Sequence, residues 1–322
     1  MDCLRGIAVL SVCFSHFMTA NNGISHESVW WKMGTHGWLG VEIFFVISGF
    51  IIPYALHRSG FRWSDYPRFL FKRVVRLDPP YLAAIAVAIV MGMLATGAPD
   101  YRGAPFHCSV PQVLLHFAFL NTFFGYEWVN GAFWSLAIEF QYYLAVGLLF
   151  PWVAHRSSWV RIGLFTVLAC LALALPESRF VFHWLFLFIL GMLVFQWHAG
   201  LWTPRTLALG LVLGTVGVAF THDWMIAAVC LATALVIAFA RMSSRILLFF
   251  GSISYSLYLL HGPVGLKVVN VIGRHVSGTI GGLGAILLGF LVSTLCSLAL
   301  FWLVERPARR WSSLIQYRRD ET

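Results

Sequence analysis

The stretch Gly40-Val41-Glu42-Ile43-Phe44-Phe45-Val46-Ile47-Ser48-Gly49-Phe50-Ile51-Ile52-Pro53-Tyr54-Ala55-Leu56 carries one charged residue, Glu42, in seventeen positions. A helix needs roughly 17–25 predominantly apolar residues to cross the hydrocarbon core of a bilayer, and this run meets that requirement. Comparable runs recur from one end of the chain to the other. Of its 322 residues, 59% are hydrophobic and only 11% charged, with a mean hydropathy of +0.79. Soluble chains carry about a quarter charged residues, so a soluble globular fold is excluded.

The sequence therefore predicts an all-α polytopic membrane helical bundle occupying residues 1–322 as a single domain. Spans are expected near 3–20, 38–56, 79–97, 131–154, 160–177, 180–197, 204–221, 223–240, 246–268 and 281–304. The first apolar run begins at Leu4 and contains Arg5, so it reads as a spanning helix rather than a cleaved signal. Val110–Phe124 is apolar but interrupted by Pro111, Gln112, His116 and Asn121, and is expected as an interfacial or re-entrant helix.

A net charge of +9 would suit a nucleic-acid binder, but its distribution serves membrane orientation instead. With ten spans, 17 of the 22 Lys and Arg residues fall in one set of loops. Lys32, Arg102, Arg179, Lys267 and Arg274 make up the other set. The positive-inside rule then places both termini in the cytoplasm, and the expected partner is the lipid bilayer, with no nucleic acid. The basic tail after Arg306 is expected to lie along the inner membrane surface. The six cysteines show neither disulfide nor metal-ligand spacing, so no metal is expected.

Ionisable groups within spans cost roughly 2.5–3.5 kcal/mol each on insertion scales, which makes each a functional candidate. Arg5 and His16 stand eleven positions apart in the first span. On a helix they share a face and are separated by about 16 Å along the axis. Glu42 opens the second span from the outer side, at the depth that His16 reaches, and Glu139, His183 and His261 lie in the outer halves of theirs. A histidine beside carboxylates suits a general base oriented by an acidic neighbour. The bland readings are a snorkelling Arg5 and structural polar contacts between helices for the others. On the inner side, Arg73 and Arg76 are three apart on one helical turn. Guanidinium pairs bind phosphate bidentately, although a basic loop alone equally suits lipid headgroups.

Taken in order, these segments resemble the acyltransferase-3 family. The likeness rests on Arg5 and His16, on Gly40-Val41-Glu42-Ile43-Phe44-Phe45-Val46-Ile47-Ser48-Gly49-Phe50, and on Arg73-Val74-Val75-Arg76 with Pro79 and Tyr81. It continues through Trp134-Ser135-Leu136 to Glu139 and Tyr143, then Gly251-Ser252-Ile253-Ser254-Tyr255-Ser256-Leu257-Tyr258-Leu259-Leu260-His261, and ends at Glu305-Arg306-Pro307. The Gly common before Leu4-Arg5-Gly6 in the family is Cys3 here.

The resemblance implies an integral-membrane O-acyltransferase in the bacterial inner membrane. Acyl-CoA, most often acetyl-CoA, would be the donor co-substrate, with no bound cofactor, and a glycan or other hydroxylated molecule the acceptor. It implies that Arg5 and His16 are essential and that Glu139 supports the active site; Glu42 joins the catalytic set by its depth. Arg73 and Arg76 would belong to the donor site, with Trp134, Ser135, Tyr143, Tyr258 and His261 also in the substrate-binding set. Acceptor recognition is expected from loops 21–37 and 98–130. A secondary transporter with a His/Glu proton relay is the alternative class, but no inverted repeat or matched pair of broken helices supports it. A non-catalytic scaffold leaves the polar residues at one depth unexplained.

Overall fold

The computed structural model describes residues 1–21, 24–98 and 104–317, and its regular structure among these is helix throughout. The α-helices in chain order are α1 Asp2–Thr19, α2 Val29–Gly34, α3 Gly40–Arg58, α4 Tyr66–Thr96, α5 Val110–His116, α6 Trp134–Val153, α7 Ser158–Ala174 and α8 Leu185–His198. They continue with α9 Pro204–Thr221, α10 Trp224–Phe239, α11 Arg245–Ser252, α12 Ser254–Leu260, α13 Lys267–Gly273, α14 Gly278–Leu300 and α15 Arg306–Leu314. Starts are set by local chemistry. Asp223 Oδ1 accepts the Ile226 N–H at 2.8 Å to cap α10, and Thr203 caps α9 with Pro204 in its first turn.

Six helical stretches are long and apolar enough to cross a membrane: Val29–Arg58, Trp63–Thr96, Gly131–Val153, Val181–His198, Pro204–Thr221 and Gly278–Leu314. A seventh is added if Arg245–Ser252 and Ser254–Gly273, bent by 63°, count as one broken span. The segments expected at 160–177 and 223–240 are apolar helices of 17 and 16 residues. The first expected span is the 18-residue α1, which stands outside the six because Asp2, Arg5 and His16 dilute its apolar character. Among the described residues of the 98–130 region stand α5, seven residues long, and a 3-10 turn at Asn121–Phe124, both too short to span.

One expectation changes. The span predicted to start at Pro79 begins at Tyr66, so Arg68, Lys72, Arg73 and Arg76 ride on the same continuous helix rather than in a loop. Pro79 and Pro80 lie inside it, and the Tyr255 hydroxyl donates to the Leu77 carbonyl at 2.9 Å in this proline-weakened turn. The basic tail begins as a helix. Helix α15 continues α14 through a π turn at Phe301–Glu305 and packs on α4, where the Ser312 hydroxyl donates to the Lys72 carbonyl at 2.9 Å.

The bundle closes by backbone approach at small residues, the route helices take where lipid supplies no hydrophobic drive between them. A methyl group added at Gly49 of α3 would strike the Phe188 carbonyl of α8, and one at Gly191 of α8 would strike the Val46 carbonyl of α3. These two helices form the most extensive interface in the fold.

Candidate active site

Helices α1, α3, α4, α6, α12 and α15 enclose a cavity of about 200 Å³. Arg5 from α1, Arg73 and Arg76 from α4, and Arg309 from α15 all line it. Its remaining walls are apolar side chains of α3, including Phe44, Ile47 and Ile51, together with Glu139, Tyr143, Tyr255 and Tyr258. Along α6, Tyr143, Glu139 and Ser135 follow at one-turn intervals and span about 12 Å. The Arg73 guanidinium lies 5.3 Å over the Tyr143 ring, whereas Ser135 Oγ meets the Tyr258 hydroxyl at 2.6 Å. The cavity thus runs from a cationic end to a hydroxyl-lined end.

At the cationic end, Arg73 is flanked by the aromatic faces of Tyr143 and Phe69. Neither it nor Arg76 pairs with a carboxylate among the described residues. Glu139 is occupied otherwise. Its Oε1 accepts from the Tyr143 hydroxyl at 2.5 Å and from the Ser48 hydroxyl at 2.7 Å, which ties α6 to α3 across the cavity wall.

At the other end, Tyr258 both lines the cavity and lies 5.6 Å, ring to ring, from His261. His261 is fully buried and opens a π turn, His261–Leu266. Its Nδ1 is 2.6 Å from the Tyr258 carbonyl, and its Nε2 is 2.8 Å from Nδ1 of His16. A carbonyl only accepts, so Nδ1 of a neutral His261 carries the proton and its Nε2 is the acceptor. His16 then donates from Nδ1, and its own Nε2 holds a free lone pair. The two rings stack 5.0 Å apart, 11° from parallel.

The residues expected from sequence divide accordingly. Arg5, Arg73, Arg76, Ser135, Glu139, Tyr143 and Tyr258 share the cavity, while His16 and His261 form a pair beside its hydroxyl-lined end. Among the described residues no carboxylate pairs with His16, and Glu139 is held by Ser48 and Tyr143. Glu42 is buried away from the cavity, and its Oε2 has no partner among the described residues. Trp134 lines a different cavity, packed on Trp184 and Phe45. Sequence reasoning missed Tyr255, Glu305 and Arg309 as site residues. The four-residue spacing of Glu305 and Arg309, which favours an ion pair on a helix, was the available signal.

A family model described as an acyltransferase domain, Acyl_transf_3, matches residues 1–302. The chain belongs to the acyltransferase-3 family. ORF330 of Acidianus two-tailed virus, which carries a provisional acetyltransferase name, is 25% identical over 98% of this chain and 91% of its own length. The O-acetyltransferase OatA of Staphylococcus aureus (strain NCTC 8325 / PS 47) is 30% identical, over 48% of this chain and 25% of its own length. Nodulation protein 10 of Rhizobium leguminosarum bv. viciae is 27% identical over 52% of this chain and 47% of its own. The chain therefore spans nearly all of the viral relative but half or less of the two bacterial ones. No solved structure matches. With the family and its apolar helices together, this acyltransferase-3 chain is a multi-pass membrane protein and an acyltransferase.

Proposed function

We propose that this protein transfers an acyl group, acetyl by the names of its relatives, from acyl-CoA to a hydroxyl of a carbohydrate or glycan acceptor. One observation carries the reading: a cavity with guanidinium groups at one end is lined at the other by Ser135 and Tyr258, beside a histidine pair that leaves Nε2 of His16 free. Arg5, Arg73 and Arg76 suit the phosphates of CoA, because guanidinium groups match phosphate oxygens bidentately. The pantetheine arm then lies along α6 and points the thioester toward Ser135 and Tyr258.

The acceptor hydroxyl gives its proton to Nε2 of His16 as its oxygen attacks the thioester carbonyl. The carbon–sulfur bond breaks, and the leaving thiolate takes the proton back from Nε2, so that CoA and an ester depart. His261 is a positioning residue in this scheme, holding the His16 tautomer through the Tyr258 carbonyl. A relay through acyl-His16 uses the same residues. The basic residues set the arginine end and both termini on the cytoplasmic side of a ten-span bundle in the bacterial cytoplasmic membrane.

The test uses purified protein in nanodiscs with labelled acetyl-CoA, comparing wild type with His16→Ala for CoA release and label transfer to a glycan extract. Loss of transfer with retained acetyl-CoA binding is expected. Equal turnover in both proteins would remove His16 from the chemistry, and absence of both binding and turnover in the wild type would remove the enzyme reading.

A further inference from the structure

We propose that Arg309 is a fourth donor-binding residue, contacting the phosphates of acyl-CoA, and that Glu305 is the positioning residue that aims it. This rests on the acyl-CoA reading above and extends it to a helix that composition assigned to a basic tail.

Glu305 ends the π turn at Phe301–Glu305, and a π turn holds more residues than an α-helical one, so α15 is rotated in phase relative to α14. Its carboxylate is almost wholly buried and divided between two helices. Oε2 accepts the Ser256 backbone N–H at 3.2 Å and the Ser256 hydroxyl at 2.5 Å, while Oε1 pairs with Nη2 of Arg309. The guanidinium is fixed further by donation from Nη2 to the Ser252 carbonyl at 3.2 Å and by packing 5.4 Å over Phe301. Nε of Arg309 is buried and has no acceptor among the described residues. The side chain as a whole lines the cavity with Arg5, Arg73 and Arg76.

The electrostatics point the same way. Arg76 and Arg309 both act on the Arg5 guanidinium, with Asp2 and Glu305 as the opposing charges around it. Four guanidinium groups converging on one cavity repel one another. A ligand carrying a diphosphate and a further phosphomonoester relieves that repulsion; a pantetheine thioester without them does not. If Glu305 and Arg309 were only a clamp between α15 and α12, the identity of the donor would be irrelevant to them.

The experiment measures steady-state kinetics in nanodiscs with acetyl-CoA, acetyl-dephospho-CoA and acetyl-pantetheine. The variants are Arg309→Gln, Arg309→Lys, Glu305→Gln and the Arg309→Gln/Glu305→Gln double. Arg309→Gln is expected to raise the acetyl-CoA KM about tenfold or more, the range for losing a charge-assisted hydrogen bond, with kcat within about twofold. The acetyl-pantetheine KM stays at the wild-type value, and Arg309→Lys recovers part of the loss. Glu305→Gln gives a smaller KM rise, and the double variant is no worse than Arg309→Gln alone, because one residue acts through the other.

Equal losses on all three donors, or an unchanged acetyl-CoA KM, overturn the proposal in favour of the clamp. Should Arg309→Gln fail to fold, Arg309→Lys and Glu305→Gln carry the same donor comparison. A wild type that uses acetyl-pantetheine as well as acetyl-CoA would instead overturn the phosphate-binding reading of the whole cavity, which separates that failure from failure of Arg309 alone.

Discussion

His261 offers one ring nitrogen to a backbone carbonyl and the other to His16, and that order decides which nitrogen of His16 keeps its lone pair. His261→Phe keeps a ring of similar bulk but removes the acceptor, so His16 loses the partner that fixes its tautomer. We expect kcat to fall about 100-fold, the low end of what a general base supplies, with acetyl-CoA affinity unchanged. Rapid-mix kinetics beside equilibrium acetyl-CoA binding would check this, and a change confined to binding would move His261 into the donor site. Sequence showed that His16 and His261 lie at similar depth in their spans. It did not show that they touch, since contact depends on how the broken helix α12 sets its register against α1. Glu42 shows the same limit: its depth was readable, but not that it would be buried without lining the cavity.

At the scale of elements, the segment around α5 is held by a buried imidazole rather than by length or hydrophobicity. His116 is fully buried, its Nδ1 is 2.7 Å from the Gln112 carbonyl, and its Nε2 accepts the Val129 N–H at 3.3 Å. Burial pushes the His116 imidazole below its ordinary value of 6.5. The unfolded segment therefore binds the proton more readily than the folded one. The stabilisation is complete above the unfolded value and is lost progressively as pH falls below it. Hydrogen exchange over residues 104–130, corrected for intrinsic rates, should show protection falling as pH drops through and below a free imidazole's pKa of about 6.5. That pH dependence should be absent in His116→Gln, and a flat wild-type profile would sink the idea. Hydropathy marked this region as too polar to span and was right about its helix, but a 13-residue reach from His116 to Val129 leaves no periodic trace. The extension of α4 through Pro79 and Pro80 was hidden by the same kind of logic: prolines usually end a helix. Here Tyr255 supports the weakened turn from α12.

For the whole molecule, the position of the cavity matters more than any one residue. Its cationic end gathers Arg5, Arg73, Arg76 and Arg309, while the His16–His261 pair stands beyond Ser135 and Tyr258. On the proposed reading, donor charge and acceptor chemistry are thereby separated along the bundle by several helical turns. Such a layout suits a donor that never crosses the membrane and an acceptor that never enters the cytoplasm. In the proposed orientation, the asymmetry of Lys and Arg, legible in the sequence, turns the guanidinium end inward. What hydropathy could not supply was the number of continuous spans, because the break between α11 and α12 and the charges of α1 blur segments that a window average treats as uniform. The orientation is testable with sealed vesicles, since acetyl-CoA does not permeate them. In inside-out vesicles loaded with acceptor, external acetyl-CoA should support acyl transfer. In right-side-out vesicles it should not, until the membrane is permeabilised. Arg73→Ala should weaken the inside-out reaction through the acetyl-CoA KM, in keeping with phosphate contact at that face. Transfer from external acetyl-CoA in right-side-out vesicles would invert the bundle, and with it the assignment of donor and acceptor sides.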